Sequence, residues 1–295
     1  MSSVVAPCDY IGRFAPSPTG PLHFGSAVAA LAGFLQARGR GGQWFVRIDD
    51  IDPPRERAGA SKAILEALFA LGLEWDGEVH YQSHRSQHYD AALEQLRAAG
   101  ETFACACTRR QLPHGPYPGT CRNGIAAGLV GHSVRLRVRS AVIDFYDLLQ
   151  GSCSQSLARE VGDYIVRRAD GLYAYHLAAV VDDAAAGVTE IVRGVDLLES
   201  TPRQIYLQRL LGLHTPNYVH IPVVLNRDGA KLSKQTAARP IDPSTARRVL
   251  VAALEFLQQS PPPDLGHRSR DEIIQWALAH WNIGVVGNES HISSM

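Results

Sequence analysis

Two short segments, far apart in the 295-residue chain, carry groups suited to binding a polyphosphate. The first, residues 21–26, reads Pro-Leu-His-Phe-Gly-Ser and precedes an Ala- and Leu-rich stretch, residues 27–37, that predicts a helix. Small residues and a histidine at a helix N-terminus favour phosphate, because free backbone N–H groups and the helix dipole point there. The second, residues 231–234, reads Lys-Leu-Ser-Lys and supplies two ammonium groups from a loop. Together they predict a nucleotide-activating site.

Three of the five cysteines form a second chemical cluster. Cys105, Cys107 and Cys121 are close in sequence, and three neighbouring thiolates predict a zinc site. On ligand chemistry alone His114 is the expected fourth ligand, because imidazole binds zinc far more often than a phenol does. Three reduced thiols without metal are the alternative. An odd number of cysteines with such a cluster suits a reducing compartment, so we expect a cytoplasmic protein.

The composition is that of a globular protein with one large or two small domains, not a short binding module. The 29 basic residues balance the 29 acidic ones, so net charge neither favours nor excludes a nucleic-acid partner. Arginines do cluster, for example at Arg109 and Arg110. The sequence contains no uninterrupted apolar run of membrane-spanning length and no secretory signal pattern, so we expect no membrane association.

The pattern of apolar residues indicates the elements that position these groups. Strand-like runs at residues 10–15 and 44–48, with helical periodicity between and after them, predict a parallel α/β sheet. From Thr102 onward, cysteines, prolines and glycines replace regular helix, and alternating runs at residues 133–139, 141–146 and 163–168 predict antiparallel strands. We interpret residues 102–172 as an insertion, after which helical and strand runs resume and complete the sheet.

With their flanks, the two segments resemble a known family. Residues 13–26 are similar to the HIGH-like signature of class I aminoacyl-tRNA synthetases of the glutamyl type, and residues 231–234 to the KMSKS-like signature. Residues 47–55 and 192–204 are similar to two further motifs of that family. Four motifs in the family's order are far more specific than any one of them.

The resemblance implies an α/β fold with a Rossmann-like class I catalytic domain. We expect this domain at residues 1–240, interrupted by a zinc-binding α+β subdomain at about 102–172. Residues 241–295 are expected to form a short helical C-terminal region without an anticodon-binding domain, because only about sixty residues follow Lys234. The family pattern also places a tyrosine, Tyr117, as the fourth zinc ligand beside Cys105, Cys107 and Cys121.

The resemblance further implies a glutamate pocket. Guanidinium groups pair two carboxylate oxygens at once, so Arg13 and Arg193 suit the substrate carboxylates. Asp49 stands where the family has glutamate and is expected to bind the substrate ammonium, through a water or a small backbone shift. An ion pair between Arg13 and Asp49 is the structural alternative. The remaining pocket residues implied are Phe14, Ala15, Pro16, Ser17 and Tyr175.

The same resemblance assigns the nucleotide contacts, with magnesium accompanying ATP. His23 and Lys234 are the expected catalytic residues, one at the triphosphate and one at the leaving pyrophosphate. This catalysis is electrostatic and positional, and it requires no covalent nucleophile. The full set of ATP-binding residues implied is His23, Gly25, Ser26, Lys231, Ser233 and Lys234.

Within the family, the chain most resembles the truncated group that modifies queuosine. Its members convert L-glutamate and ATP to glutamyl-adenylate and transfer glutamate to the queuosine base in the anticodon of tRNA(Asp). We expect a monomer with this activity. A shortened glutamyl-tRNA synthetase that charges a tRNA 3′ end, and a catalytically inactive RNA-binding paralogue, are the two alternatives.

Overall fold

A computed structural model of the chain describes residues 10–112, 115–226, 240–288 and 291–292. His114 and the lysine segment with Lys231, Ser233 and Lys234 lie outside the described residues. The described strands are β1 Ile11–Phe14, β2 Gln43–Ile48, β3 His80–Tyr81, β4 Thr102–Cys105, β5 Ser133–Leu136, β6 Val142–Asp147, β7 Gly151–Ser156, β8 Tyr164–Arg167, β9 Glu190–Gly194, β10 Asn217–Ile221, β11 Val224–Leu225 and β12 His291–Ile292. The described helices are α1 Phe24–Gly39, α2 Ala60–Ala70, α3 Ser86–Ala98, α4 Leu157–Glu160, α5 Tyr175–Ala185, α6 Thr201–Leu211, α7 Ala246–Phe256 and α8 Arg270–His280.

A parallel sheet forms the centre of the fold, as the alternation of strands and helices predicts. β1, β2 and β3 pair in parallel, with Gly12 opposite Trp44. β9 and β10 also pair in parallel, with Val192 opposite Val219. A backbone hydrogen bond of 2.9 Å from Thr189, just before β9, to Ile11 in β1 joins the two sets of strands. The α/β fold class is therefore confirmed.

Helix α1 lies between the sheet and the C-terminal helices. Eleven of its 16 residues are buried, including Leu31 and Leu35, and a helix that is apolar nearly all round must be covered on several faces. α7 and α8 cover it from the side opposite the sheet, and Leu250 and Leu254 of α7 belong to the same core. The C-terminal region thus packs against α1, and the domain division at residue 240 stays a prediction.

The segment interpreted as an insertion divides between two sheets. β5 and β8, both predicted as strands, form a separate antiparallel sheet together with β4, which the alternating runs do not include. The run at residues 141–146 does not join them: it forms β6, which pairs with β7 in a hairpin and with β10 of the central sheet. Asp147, at the end of β6, helps to hold this strand against β10. Its carboxylate accepts a hydrogen bond of 3.1 Å from the backbone N–H of His220 in β10.

Among the described residues, no helix is long and apolar enough to cross a membrane, and the longest, α1, has 16 residues.

Candidate active site

A cleft of about 380 Å³ opens at the carboxyl ends of β1, β9 and β10. In doubly wound sheets, ligands bind at this edge because the loops that follow neighbouring parallel strands diverge there. The residues that line the cleft are Arg13, Phe14, Ala15, Pro16, Ser17, Thr19, His23, Gly25, Ser26, Ala29, Val192, Arg193, Gly194, Asp196, Leu197, Ile221, Pro222, Val223 and Val224. The structure thus brings together most of the residues predicted for glutamate and ATP.

His23 caps the N-terminus of α1 at the floor of the cleft. Its Nδ1 accepts a hydrogen bond of 3.3 Å from the backbone N–H of Ser26, and its Nε2 lies 3.0 Å from the Ser26 hydroxyl. Its imidazole is buried except for 8% of the residue's surface. Because Gly25 and Ser26 in this first turn also line the cleft, the positive end of the helix dipole faces the space available to a ligand.

Arg193, in β9, presents a buried guanidinium to the same cleft. It donates to Gln204 Oε1 at 2.8 Å, to Thr201 Oγ1 at 2.7 Å and to His220 Nε2 at 3.0 Å. All three partners are uncharged acceptors. In the part of the chain that the structure describes, no carboxylate forms an ion pair with Arg193. A buried cation with neutral direct partners attracts an anionic ligand, because its charge is poorly screened by water.

Arg13 also lines the cleft, but its charge has a partner. Its Nε donates to Asp183 Oδ1 at 3.1 Å, and Arg47 donates to the same carboxylate at 2.6 Å. The guanidinium groups of Arg13 and Arg47 hold the pKa of Asp183 below its usual value, although burial alone would raise this pKa. The ion pair of Arg13 is therefore with Asp183 in α5 rather than with Asp49.

Asp49 lies behind the cleft wall. Its backbone N–H donates to the carbonyl of Pro16 at 3.0 Å, while its carboxylate accepts a hydrogen bond of 2.7 Å from Arg47. Burial raises the pKa of Asp49, and Arg47 only partly offsets this. Among the described residues, neither Asp49 nor Tyr175 lines the cleft, so the ammonium role of Asp49 stays a prediction. Tyr175 begins α5, and its hydroxyl lies 3.5 Å from Arg193 Nη1.

Several cleft residues were not predicted from the sequence. Asp196, which is not among the predicted substrate-binding residues, lines the cleft beside Gly194. A Cβ on Gly194 would lie 2.5 Å from Asp196 Oδ1 and 2.9 Å from Val223 Cγ1, so only glycine lets these walls approach so closely. Asp196, Thr201 and Gln204 lie within the motif at residues 192–204, so the sequence could have indicated them. Asp183 could also have been found, because two adjacent aspartates in an apolar helical run are unusual.

The described residues on both sides of the lysine segment lie at or next to the cleft. Val223 and Val224, just before the undescribed residues 227–239, line it. Pro240, just after them, pairs with His23 in an isolated bridge, and Ile241 donates to the carbonyl of Leu22 at 3.0 Å. The described residues on each side of the segment therefore adjoin the helix N-terminus that His23 caps.

The predicted zinc ligands converge at the end of β4. The sulfur atoms of Cys105, Cys107 and Cys121 all lie within 4.8 Å of one another. The Tyr117 hydroxyl lies 3.5 Å from Cys105 Sγ and 3.8 Å from Cys107 Sγ, and it accepts a hydrogen bond of 2.8 Å from the backbone N–H of Cys121. Three thiols and one phenol oxygen therefore face a common point, which fits a four-coordinate ion.

Arg135 makes this cluster electropositive. Its Nε donates to Cys105 Sγ at 3.3 Å, and its guanidinium carbon lies 3.9 Å from the centre of the Tyr117 ring. Burial raises the pKa of the Cys105 thiol, but hydrogen bonds from Tyr117 and Arg135 outweigh burial and lower it to about 6. The lowered pKa of Cys105 favours the thiolate, which is the form of cysteine that binds metal. Cys153 lies apart, in β7, and Cys8 is outside the described residues.

Known proteins resemble this chain along most of its length. A family model described as the catalytic domain of class I tRNA synthetases (E and Q) matches residues 11–115 and 121–248. A protein of Aromatoleum aromaticum named glutamyl-Q tRNA(Asp) synthetase is 54% identical over 93% of this chain and 89% of its own length. One of Thiobacillus denitrificans with the same name is 52% identical over 94% of this chain and 95% of its own length.

A solved structure shares the fold. The glutamate tRNA ligase of Elizabethkingia meningosepticum, crystallised with its amino acid, superimposes with a TM-score of 0.78 at 22% identity. The similarity covers 97% of this chain and 67% of that chain. At this level of identity the likeness supports the α/β synthetase fold alone.

Proposed function

The chain belongs to the catalytic-domain family of class I glutamyl and glutaminyl tRNA synthetases, and from this we propose that it is a ligase that activates L-glutamate with ATP. It forms glutamyl-adenylate, releases pyrophosphate, and transfers the glutamyl group to the queuosine base in the anticodon of tRNA(Asp). The observation that carries the proposal is 50–54% identity, over 93–94% of this chain, with proteins named for that activity.

Arg193 is the group that we propose for the side-chain carboxylate of glutamate. Its guanidinium faces the cleft, and its direct hydrogen-bond partners are neutral, so a substrate carboxylate would supply the missing negative charge. A charge-assisted hydrogen bond of this kind contributes about 1.5–3 kcal/mol. We propose that residues 13–17 form the pocket wall, that Tyr175 steadies Arg193, and that Asp49 reaches the substrate ammonium through a water molecule.

The α1 N-terminus is the proposed triphosphate site. His23, Gly25 and Ser26 would meet the phosphates, and Lys231, Ser233 and Lys234 would neutralise the leaving pyrophosphate. This second role is supported by the described flanking residues, because Val223 lines the cleft and Pro240 pairs with His23 in an isolated bridge. Mg²⁺ would accompany ATP as its usual counter-ion. Catalysis then consists of positioning the two substrates and stabilising charge on phosphorus.

Zinc fits the cluster at the end of β4, and we propose that Cys105, Cys107, Cys121 and Tyr117 hold it. The hydrophobic core of this region is small, because its buried apolar cluster consists of Phe103, Cys105 and Cys121. Small units of this kind commonly need a metal or a disulfide for stability. When bound, the metal would be structural, since four protein ligands leave no open position for a substrate.

The domain organisation that we propose combines a catalytic domain at residues 1–240 with the inserted zinc region at about 102–172. Residues 241–295 then form a helical region that packs on α1. The hairpin of β6 and β7 lies within the insertion in sequence but belongs to the central sheet in space.

Pyrophosphate exchange tests the activation step. We expect the purified protein to exchange pyrophosphate into ATP with glutamate, and not with aspartate or glutamine. Lys234→Ala should abolish most of this exchange, whereas Lys62→Ala, on the exposed side of α2, should retain it. Exchange with aspartate in place of glutamate would overturn the pocket assignment, and no exchange would favour an inactive RNA-binding paralogue.

Mass spectrometry of the tRNA tests the transfer step. We expect a glutamyl mass increment on an anticodon fragment of queuosine-containing tRNA(Asp) after incubation with glutamate and ATP. The matched control is tRNA(Asp) without queuosine, which should stay unmodified. Charging of the 3′ end of tRNA(Glu) without any anticodon increment would favour the shortened glutamyl-tRNA synthetase instead.

A further inference from the structure

A buried chain of three side chains runs from β6 across β10 to the cleft. Asp147 ends β6, His220 lies in β10 and Arg193 lies in β9. Asp147 Oδ2 lies 2.6 Å from His220 Nδ1, and Arg193 Nε lies 3.0 Å from His220 Nε2. The side chains of Asp147 and His220 are fully buried, at 0% exposure. Neither residue lines the cleft, and neither belongs to the motifs that indicate the reaction.

The hydrogen-bond partners of His220 determine which of its ring nitrogens carries the proton. The Nε–H of Arg193 can only donate, so His220 Nε2 must accept and cannot carry a proton. The proton therefore resides on Nδ1, where it is donated to Asp147. Burial and Arg193 lower the pKa of His220, although Asp147 raises it, so the imidazole stays neutral near neutral pH. The ring then joins a carboxylate to a guanidinium in one defined tautomer.

Asp147 itself is held rigidly by the backbone. Its carboxylate accepts N–H groups from Leu149 at 3.0 Å, Gln150 at 2.9 Å and His220 at 3.1 Å. Burial alone would raise the pKa of Asp147, but these hydrogen bonds and the His220 ring lower it overall. An ionised carboxylate with this many fixed donors cannot rotate, so it sets the plane of the His220 ring.

The remaining donors of Arg193 show what this chain positions. The short hydrogen bonds to His220, Gln204 and Thr201 use three of its five N–H groups. The other two make only long contacts of 3.5 Å, to the Tyr175 hydroxyl and the Leu197 carbonyl. These two N–H groups are the ones that a carboxylate in the cleft can take without breaking a short hydrogen bond.

We propose that Asp147 and His220 are positioning residues that aim the guanidinium of Arg193 at the side-chain carboxylate of the amino-acid substrate. This inference rests on the proposed function and deepens it, because it assigns substrate affinity to two residues that never touch substrate. The arrangement corresponds to the carboxylate that orients a metal-bound histidine from behind. A purely structural role, in which the pair only ties β6 to β10, is the competing explanation.

Two substitutions of His220 separate these explanations. Asparagine reaches only as far as the Nδ1 position and keeps the contact with Asp147, whereas glutamine reaches the Nε2 position and can accept from Arg193. If the pair positions Arg193, His220→Asn should raise KM for glutamate in pyrophosphate exchange by on the order of tenfold or more, with KM for ATP unchanged. His220→Gln should raise it less. The structural explanation predicts the opposite order, and that result would overturn the proposal.

A control variant corrects for general loss of stability. Ile143 is buried in the same strand, β6, and Ile143→Val removes one methylene from the core without altering the three side chains. It should leave KM for glutamate unchanged. A similar rise in KM for glutamate in Ile143→Val and His220→Asn would contradict the positioning role.

A spectroscopic measurement tests the hydrogen bonds from Asp147 through His220 to Arg193 without an activity assay. In ¹⁵N NMR spectra of the imidazole rings, the signal missing from His220→Gln identifies His220 among the 12 histidines. We expect the Nδ1–H tautomer at pH 7, because Nε2 faces the Arg193 donor and Nδ1 faces the Asp147 carboxylate. An Nε2–H or doubly protonated ring in the unsubstituted protein would overturn the inference.

The two proposals fail in different ways. If the unsubstituted protein shows no glutamate-dependent exchange, the proposed function fails. The tautomer measurement still shows whether His220 links Asp147 to Arg193 as described. If that protein is active and all His220 variants keep its KM for glutamate, only the positioning role fails.

Discussion

Arg13 in β1 and Asp183 in α5 form a buried ion pair of 3.1 Å, which joins parts of the chain 170 residues apart. Both side chains are at most 7% exposed. Arg47 shares the same carboxylate and also binds Asp49, so the first two strands and α5 meet through one set of alternating charges. The strand that leads into the cleft is therefore fixed from behind by Asp183.

Replacement of Asp183 should destabilise the fold strongly. Asp183→Asn leaves two buried guanidinium groups short of a counter-charge, and breaking a buried pair from one side costs about 3–5 kcal/mol. Urea unfolding should detect this loss. Glu66→Gln, which removes an exposed ion pair with Lys62, is the matched control and should change the free energy of unfolding little. Equal effects of the two substitutions would contradict the role of Asp183.

The loss of stability in acid should also reveal the ion pairs of Asp183. The pKa of Asp183 is lower in the folded protein than in the unfolded chain, so its ion pairs stabilise the fold fully above the unfolded value of about 3.9. That stabilisation is lost as pH falls from this value toward the folded pKa. The free energy of unfolding should therefore fall more steeply between about pH 4 and pH 2 in the unsubstituted protein than in Asp183→Asn. If the free energy of unfolding depends on pH in the same way in both proteins, the ion pairs of Asp183 do not stabilise the fold.

Arg193→Lys should impair glutamate binding selectively. An ammonium group cannot reproduce the fork that donates to Gln204, Thr201 and His220 while facing a carboxylate. Loss of one charge-assisted hydrogen bond predicts a rise in KM for glutamate of roughly tenfold to a hundredfold. KM for ATP, measured in the same exchange assay, should stay within a factor of about two. A proportional rise in both constants would instead indicate a distorted cleft.

Removal of a zinc ligand should release metal and lower stability. We expect one zinc ion per chain by elemental analysis, and none in Cys121→Ser, because three ligands hold the ion far less tightly. Tyr117→Phe should weaken retention during dialysis against a chelator. Cys153→Ser, outside the cluster, should keep both the metal and the melting temperature. Unchanged zinc content in Cys121→Ser would remove that cysteine from the site.

Gly194→Ala should push the cleft walls apart. The added methyl group would meet Asp196 at 2.5 Å and Val223 at 2.9 Å, while the backbone, at φ −66°, tolerates any residue. Overpacking of this kind costs about 1–3 kcal/mol and should lower the rate of exchange. Gly266→Ala has nothing within 4 Å of its new methyl group and should behave like the unsubstituted protein. Full activity of Gly194→Ala would show that the walls can separate without consequence.

Local sequence patterns determined the elements and the type of chemistry. The Ala- and Leu-rich composition of residues 27–37 predicts most of α1, and the runs at 10–15 and 44–48 predict β1 and β2 almost to their ends. These predictions succeed because Ala and Leu favour helices, whereas β-branched and aromatic residues favour strands. The spacing of Cys105, Cys107 and Cys121 likewise predicts a cluster that the fold brings within 4.8 Å.

Only the tertiary structure decided which charges are paired and which face a ligand. Nothing near Arg13 in sequence indicates that its partner is Asp183 rather than Asp49, and nothing near Arg193 indicates His220 or Asp147. These partners are 27–170 residues apart in sequence. Arg193, His220 and Asp147 meet because β9, β10 and β6 are neighbours in one sheet, and Arg13 meets Asp183 where α5 lies against β1. The sequence therefore determined the inventory of groups. Strand order determined their neighbours, because a long side chain finds its partner across the sheet rather than along the chain.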